Sequence, residues 1–315
     1  MRTSRRILLS VAIVLFSLGL CLAQFRSGGG GRGRFWGQDD SGPLVRTEGG
    51  ELVNEDTVRT ARETANHSTD TPTWTNAPGF EQDTFTFTRI LYRHGFYGPG
   101  WLGWVNDYPD ADLNLSWRLQ QMTSLTTDPD GRVIRLTDAD LAQYPFIFLS
   151  HPERMDLNDD EARALRQYLL NGGVLLLDDF WGDRAWQTCE DHMKHVLPGR
   201  AWSELPMEHP LFHCVFDLRG PMKTLQVPTL QRWLRDYNPD DPESMPSTWR
   251  GPGSEEMHVR AWLDDKQRIM ALAIHNSDTG DGWEREGENE TYFKLFSEPR
   301  AYPLGINLVF YLMTH

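Results

Sequence analysis

Cysteine is almost missing: three residues in 315, Cys21, Cys189 and Cys214. Three are too few for a disulfide framework, and none has the paired spacing of a structural zinc site. Basic charge is also short, with 31 Lys and Arg against 45 Asp and Glu and a net charge of −14. A nucleic-acid binder needs a surplus of Lys and Arg to neutralise phosphates, so that class is excluded. Apart from residues 7–22 there is no long uncharged apolar run, which excludes a polytopic membrane protein. A Gly-rich phosphate loop, a G-x-S-x-G elbow and an H-E-x-x-H helix are absent too. What is present is ordinary globular composition, 39% hydrophobic residues with 27 glycines, enough to build a core.

Arg2, Arg5 and Arg6 precede the uncharged run, and Cys21-Leu22-Ala23 offers small residues at the −3 and −1 positions before Gln24. This pattern reads as a cleavable export signal over residues 1–23 and predicts a periplasmic or secreted protein. Left uncleaved, residues 7–23 would anchor the chain in the inner membrane. Cleavage leaves Cys189 and Cys214 in an oxidising compartment, where one disulfide is permitted but not dictated. Residues 24–81 read as a low-order linker. Residues 28–34 are Gly/Arg-rich, 51–66 form at most one polar helix with hardly any apolar stripe, and 69–78 look extended. The stretch is a leader with the option of clamping onto the domain behind it.

Residues 82–315 predict a three-layer αβα domain with a mostly parallel sheet. Residues 84–92 alternate as a strand, followed by a glycine-rich aromatic loop over 93–108 and a helix over 111–124. Short strands follow at 132–136 and 146–149, the second too apolar to be one-sided. Asn158 caps an acidic helix start, Asn171-Gly172-Gly173 ends that helix, and Val174-Leu175-Leu176-Leu177 is the next strand. Together these make a βαβ crossover. A helix over 184–196, a hairpin of 259–263 with 269–274 and an apolar helix over 302–313 complete the domain.

A set of ordered motifs carries a family resemblance. It runs from Tyr92, Trp101 and Trp104 through Asp107-Tyr108-Pro109-Asp110-Ala111-Asp112-Leu113-Asn114 to Tyr144-Pro145-Phe146. It continues with residues 165–173, Asp178-Asp179-Phe180-Trp181-Gly182, His209-Pro210-Leu211-Phe212-His213 and residues 276–284. Together these resemble the DUF4159 domain, an uncharacterised bacterial family. The resemblance implies a class I glutamine amidotransferase-like, flavodoxin-like fold and brings no activity with it. In amidotransferases the strand matching 174–177 leads into a turn with a nucleophilic cysteine. Here that turn carries Asp178 and Asp179 and no thiol or hydroxyl, so a glutaminase is not expected.

Ligands of open parallel sheets bind beyond the carboxyl ends of the strands. Those ends carry Arg93-His94, Ser150-His151 and Asp178-Asp179. The catalytic candidates are Asp178, Asp179 and His151, with either aspartate able to act as a base or hold a metal. Candidate ligand-binding residues are Tyr92, Arg93, His94, Trp101, Trp104, Asp107 and Trp181. The stretch 276–284 reads as a flexible Gly/Asp turn with hard oxygen ligands for a divalent metal, Asp278, Asp281 and Glu284; a plain turn has the same composition. No single segment supplies a full zinc set from the histidines. Residues 220–256 lack periodicity and have the length of a lid or docking surface.

Three functional classes stay open. The leading one is an exported, non-catalytic α/β module that binds a small polar ligand or a partner protein. The second is a carbohydrate-directed or metal-assisted hydrolase using Asp178 or Asp179. The third is a surface-assembly protein that docks through its tryptophan-rich loops.

Overall fold

The computed structural model describes residues 43–79, 83–93, 103–246 and 251–315. The export segment, the Gly/Arg-rich stretch, His94 and Trp101 lie outside them. Near the start, β1 (Leu44–Arg46) pairs antiparallel with β2 (Leu52–Asn54), and β3 (Thr84–Phe85) pairs with β5 (Thr126–Thr127). The main sheet has seven strands. Their order is β6 (Arg132–Ile134), β4 (Thr88–Ile90), β7 (Phe146–Ser150), β8 (Val174–Phe180), β11 (Ile269–His275), β10 (His258–Leu263) and β9 (Ser203–Glu204). From β6 to β11 every neighbouring pair is parallel, while β10 and β9 add an antiparallel edge. Counted along the chain, the five parallel strands stand 2-1-3-4-5, one of the common doubly wound orders.

Strand alternation separates two cores. Phe146, Phe148, Val174 and Leu176 face one side, where α1 (Asp110–Met122) and α7 (Tyr302–Thr314) cover them with Leu115, Leu119, Leu304 and Leu308. Ile147, Leu149, Leu175 and Leu177 face the other, under Leu165 and Leu169 of α2 (Asp159–Leu170) and Met193 of α3 (Gly182–Val196). This is the expected three-layer αβα arrangement, with β7 and β8 buried along their whole length. Asn158 caps α2 through a full capping box with Glu161, satisfying the first free backbone donors. The free thiols Cys189, inside the second core, and Cys214 are not joined.

Several elements depart from the expectation. The strand over 84–92 is broken at Thr86-Phe87, so that β3 leaves the main sheet. The polar helix over 51–66 is not formed. Without an apolar stripe to bury, those residues make β2 and one 3-10 turn, Ala61–Glu63, and give their hydrogen bonds to the domain. Ala61 N donates to Asp130 O at 2.9 Å, and Val133 N donates to Arg59 O at 2.8 Å. Residues 43–79 are therefore a packed strap rather than a low-order linker. The predicted lid over 220–256 contains α4 (Leu230–Arg235) and buries Leu225, Val227, Leu230 and Trp233 in the first core. The predicted turn at 276–284 is a helix, α5 (Thr279–Glu284), capped by Asp278, whose side chain accepts from Asp281 N. After α6 (Glu290–Tyr292), a π-helical stretch over Phe293–Ala301 accommodates Pro299 and leads into α7.

Candidate functional site

Three neighbouring strand ends and one loop turn out of regular geometry at the same place. His151 after β7, Asp179 near the end of β8 and Asn276 after β11 have φ of 53°, 52° and 62°, and Asp107 has φ 61°. A left-handed backbone at non-glycine residues costs about 1–3 kcal/mol each and collects at functional sites. The break in alternation has a visible effect. Asp178 continues the side of Val174 and Leu176, while the turn at Asp179 brings its carboxylate to the same cluster instead of sending it to the opposite layer.

Asp179 is held by groups from several elements. His151 Nε2 is 2.8 Å from its Oδ2, Asn106 Nδ2 donates to Oδ2 at 3.1 Å, and Trp181 Nε1 donates to Oδ1 at 2.9 Å. His151 Nδ1 points to Glu153 Oε1 at 3.5 Å, so both ring nitrogens face carboxylates. Asp178 Oδ2 accepts from Gly280 N at 2.8 Å, which ties β8 to the first turn of α5. Asp107 Oδ1 accepts from Asn106 Nδ2 at 2.8 Å, whereas its Oδ2 has no hydrogen-bond partner among the described residues. Asp278 Oδ2 accepts from Thr229 Oγ1 at 3.1 Å, and Asp278 N donates to Val227 O at 3.0 Å. The segment read as a lid thus holds the site in place.

Asp107, Asp179 and Asp278 offer carboxylate oxygens that all lie within 4.8 Å of one another. All three are buried. A second group, Glu48, Asp107 and Glu284, meets the same distance. The two differ in compensation. Arg285 Nε pairs with Glu284 Oε2 and Asp281 Oδ1 at 2.8 Å each and its guanidinium also reaches Glu48, while His67 Nε2 is 2.9 Å from Glu284 Oε1. Around Asp107, Asp179 and Asp278, among the described residues, the imidazole of His151 meets Asp179, and the buried guanidinium of Arg89 acts on Asp107 through its charge.

Burial and like charge act on the acids together. Burial, then the neighbouring Asp179, push Asp178 up to about 7. Burial pushes Asp107 and Asp278 well above the carboxylate range, helped by Glu284 and Asp179 for Asp107 and by Asp179 and Asp281 for Asp278. Glu284 is raised in the same way, by burial and then Glu48.

The loop that carries Asp107 is fixed from the sheet. Arg89 on β4, wholly buried, donates through Nη1 to Trp104 O at 3.0 Å and Asn106 O at 2.9 Å. Its Nε donates to Asp112 Oδ1 at 2.9 Å on α1. Neither Arg89 nor Asn106 emerged from the sequence. An arginine inside an apolar strand was the available signal, because a buried guanidinium must find several acceptors.

Of the sequence-derived candidates, His151, Asp178, Asp179, Asp107 and Trp181 come together. Tyr92 is buried beside them, its hydroxyl donating to Ser150 O at 2.9 Å. Trp104 is a core residue, hydrogen-bonded to Glu55 at 2.6 Å and packed on Tyr108, so it is no platform for a ligand. Arg93 is an exposed partner of Glu161 at 3.4 Å. Asp278, Asp281 and Glu284 do not form one three-carboxylate group among the described residues. Helix α5 turns Asp281 toward Arg285 and the N–H of Leu230, and Glu284 toward Arg285 and His67. Of the three, Asp278 meets both Asp107 and Asp179, while Glu284 meets Asp107 in the second group. Among the described residues the other histidines have structural partners, as with His275, whose Nε2 meets Gly182 O at 3.1 Å and whose burial lowers it to about 3.

The fold and site are those of an α/β domain with a doubly wound sheet and an acidic strand-end cluster. Residues 86–313 match the family model described as a domain of unknown function, DUF4159, and the chain belongs to that family. No curated protein matches it.

Proposed function

We propose that this protein is an α/β binding module whose ligand is a small polar molecule or ion with positive or hydrogen-bond-donating character. It is held beyond the carboxyl ends of β7, β8 and β11. The observation that carries the reading is the convergence of Asp107, Asp179 and Asp278 from a loop, a strand and a helix cap, with one imidazole close by. Buried carboxylates that exceed their cationic partners favour a donor or a cation in their midst. The module is non-catalytic in this reading. The turn after Leu177 has no nucleophile, Cys189 is buried in α3 with its thiol pushed up by burial, and both nitrogens of His151 are directed at acids. The basic and uncharged pattern of residues 1–23 supports an exported location. Among the described residues no helix is long and apolar enough to cross a membrane.

Thermal-shift screening of sugars, amino acids, polyamines and metal salts against wild type and Asp179→Asn tests the proposal. A shift present in wild type and lost in the variant is expected, and no shift with any compound overturns it. One observation favours the hydrolase reading: Asp178, pushed up to about 7, has the range of a general acid. Turnover of aryl glycosides or esters by wild type, lost in Asp178→Asn, would establish that reading instead.

A further inference from the structure

Resting on the proposed binding module, we infer that Asp107, Asp179 and Asp278 hold one hard divalent cation of the Ca²⁺, Mn²⁺ or Mg²⁺ class. Oxygen atoms of the three carboxylates lie within 4.8 Å of one another. Such cations bind carboxylate oxygens at about 2.0–2.6 Å, so oxygens on opposite sides of one ion stand about 4–5 Å apart. The spacing suits an ion and is too tight for a sugar or an amino acid between the acids.

A second observation is independent of the clustering. Asp107 is fully buried and its Oδ2 has no hydrogen-bond partner among the described residues. That oxygen lies against Gly280, two residues beyond Asp278, so close that a Cβ on the glycine would come within 2.3 Å of it. A buried carboxylate oxygen without a donor is costly unless something binds it.

The donor set also fits. It is all oxygen, which suits hard cations and disfavours zinc and copper relative to thiolate or imidazole sites. Each carboxylate is oriented by a further group, as ligands in metal sites are. His151, Asn106 and Trp181 hold Asp179, Asn106 holds Asp107, and Thr229 with the N–H of Asp281 holds Asp278. The neighbouring group of Glu48, Asp107 and Glu284 is already bridged by Arg285 and His67, which occupy the carboxylate oxygens an ion would need there.

The test uses the full chain, stripped with EDTA and exchanged into metal-free buffer. CaCl₂, MnCl₂ and MgCl₂ are titrated separately by calorimetry, and bound metal is counted by elemental analysis. The expected result is one ion per chain for at least one salt, with a rise in Tm. Asp107→Asn and Asp278→Asn are each expected to weaken binding tenfold or more while the ion-free variants remain folded by circular dichroism. Trp181→Phe removes a donor to Asp179 but no ligand, and weakens binding about 10–100-fold. Absence of binding by wild type up to millimolar salt overturns the inference. So does binding unchanged in both aspartate variants, which marks an adventitious site on the acidic surface. With no salt bound, an Asp179-dependent Tm shift with an organic compound in the presence of EDTA would sink the ion and keep the module. Failure of both the salts and the organic compounds would remove the module as well.

Discussion

His151 Nε2 and Asp179 Oδ2 lie 2.8 Å apart, both buried and both in left-handed backbone at the ends of adjacent parallel strands. The bond ties β7 to β8 where the ladder ends, after Ser150 opposite Asp178. Replacing His151 by Ala removes one of the hydrogen-bond partners of a buried carboxylate and is expected to cost about 1–3 kcal/mol in urea unfolding. Adding Asp179→Asn should restore most of that. A double mutant as unstable as the sum of the two singles would show that the pair is not coupled.

Gly280 is a helical glycine that refuses a side chain for a local reason. Alanine in an exposed helix interior would stabilise by up to about 1 kcal/mol. Here its Cβ would meet Asp107 Oδ2 at 2.3 Å. Gly280→Ala is therefore expected to destabilise by about 1–3 kcal/mol and displace Asp107. Equal or higher stability by chemical denaturation would contradict the close approach.

Arg89 sets the position of Asp107 from the opposite side of the loop through the carbonyls of Trp104 and Asn106. Lysine keeps the charge but loses the planar fork that reaches Asp112 and two carbonyls together. Arg89→Lys is expected to lower stability by about 2 kcal/mol or more, with faster amide exchange around residues 104–107. Unchanged exchange there would remove Arg89 as a positioning residue.

The strap over residues 43–79 is pinned by a pH-sensitive contact. His67 Nδ1 is 2.8 Å from Asp110 Oδ2, and this hydrogen bond raises His67 above its usual 6.5 against the opposing effect of burial. Asp110 is lowered from 3.8, because its bonds to His67 and Ser68 outweigh burial, which acts the other way. The histidine contribution is fully present below about 6.5 and is lost as pH rises through its raised value. The aspartate contribution is present above about 3.8 and is lost as pH falls through its lowered value. Hydrogen exchange in the strap should be slowest between these limits and accelerate toward alkaline pH beyond the intrinsic rate. His67→Gln should flatten the alkaline limb; an identical profile in that variant would show that another group controls it.

Much of the framework was legible in the residues themselves. Phe146-Ile147-Phe148-Leu149 and Val174-Leu175-Leu176-Leu177 are apolar on both faces, and such strands are stable only between two layers of helices. Asn158 and the Gly172-Gly173 pair announced the ends of α2 because capping and left-handed turns have few chemical solutions. The missing nucleophile after Leu177 was visible for the same reason: a side-chain type can be read without coordinates. Residues 276–284 misled because glycine and aspartate favour turns locally, while burial against α1 and the π-helical stretch makes that segment helical. What only the tertiary structure decided was the company the acids keep. Asp107, Asp179 and Asp278 are far apart in the chain, and no periodicity links them. Their meeting depends on a strand order that places β8 beside β11 and on three left-handed residues that redirect the backbone at its ends. Local propensity can name a carboxylate; which other carboxylate it must face is a property of long-range packing.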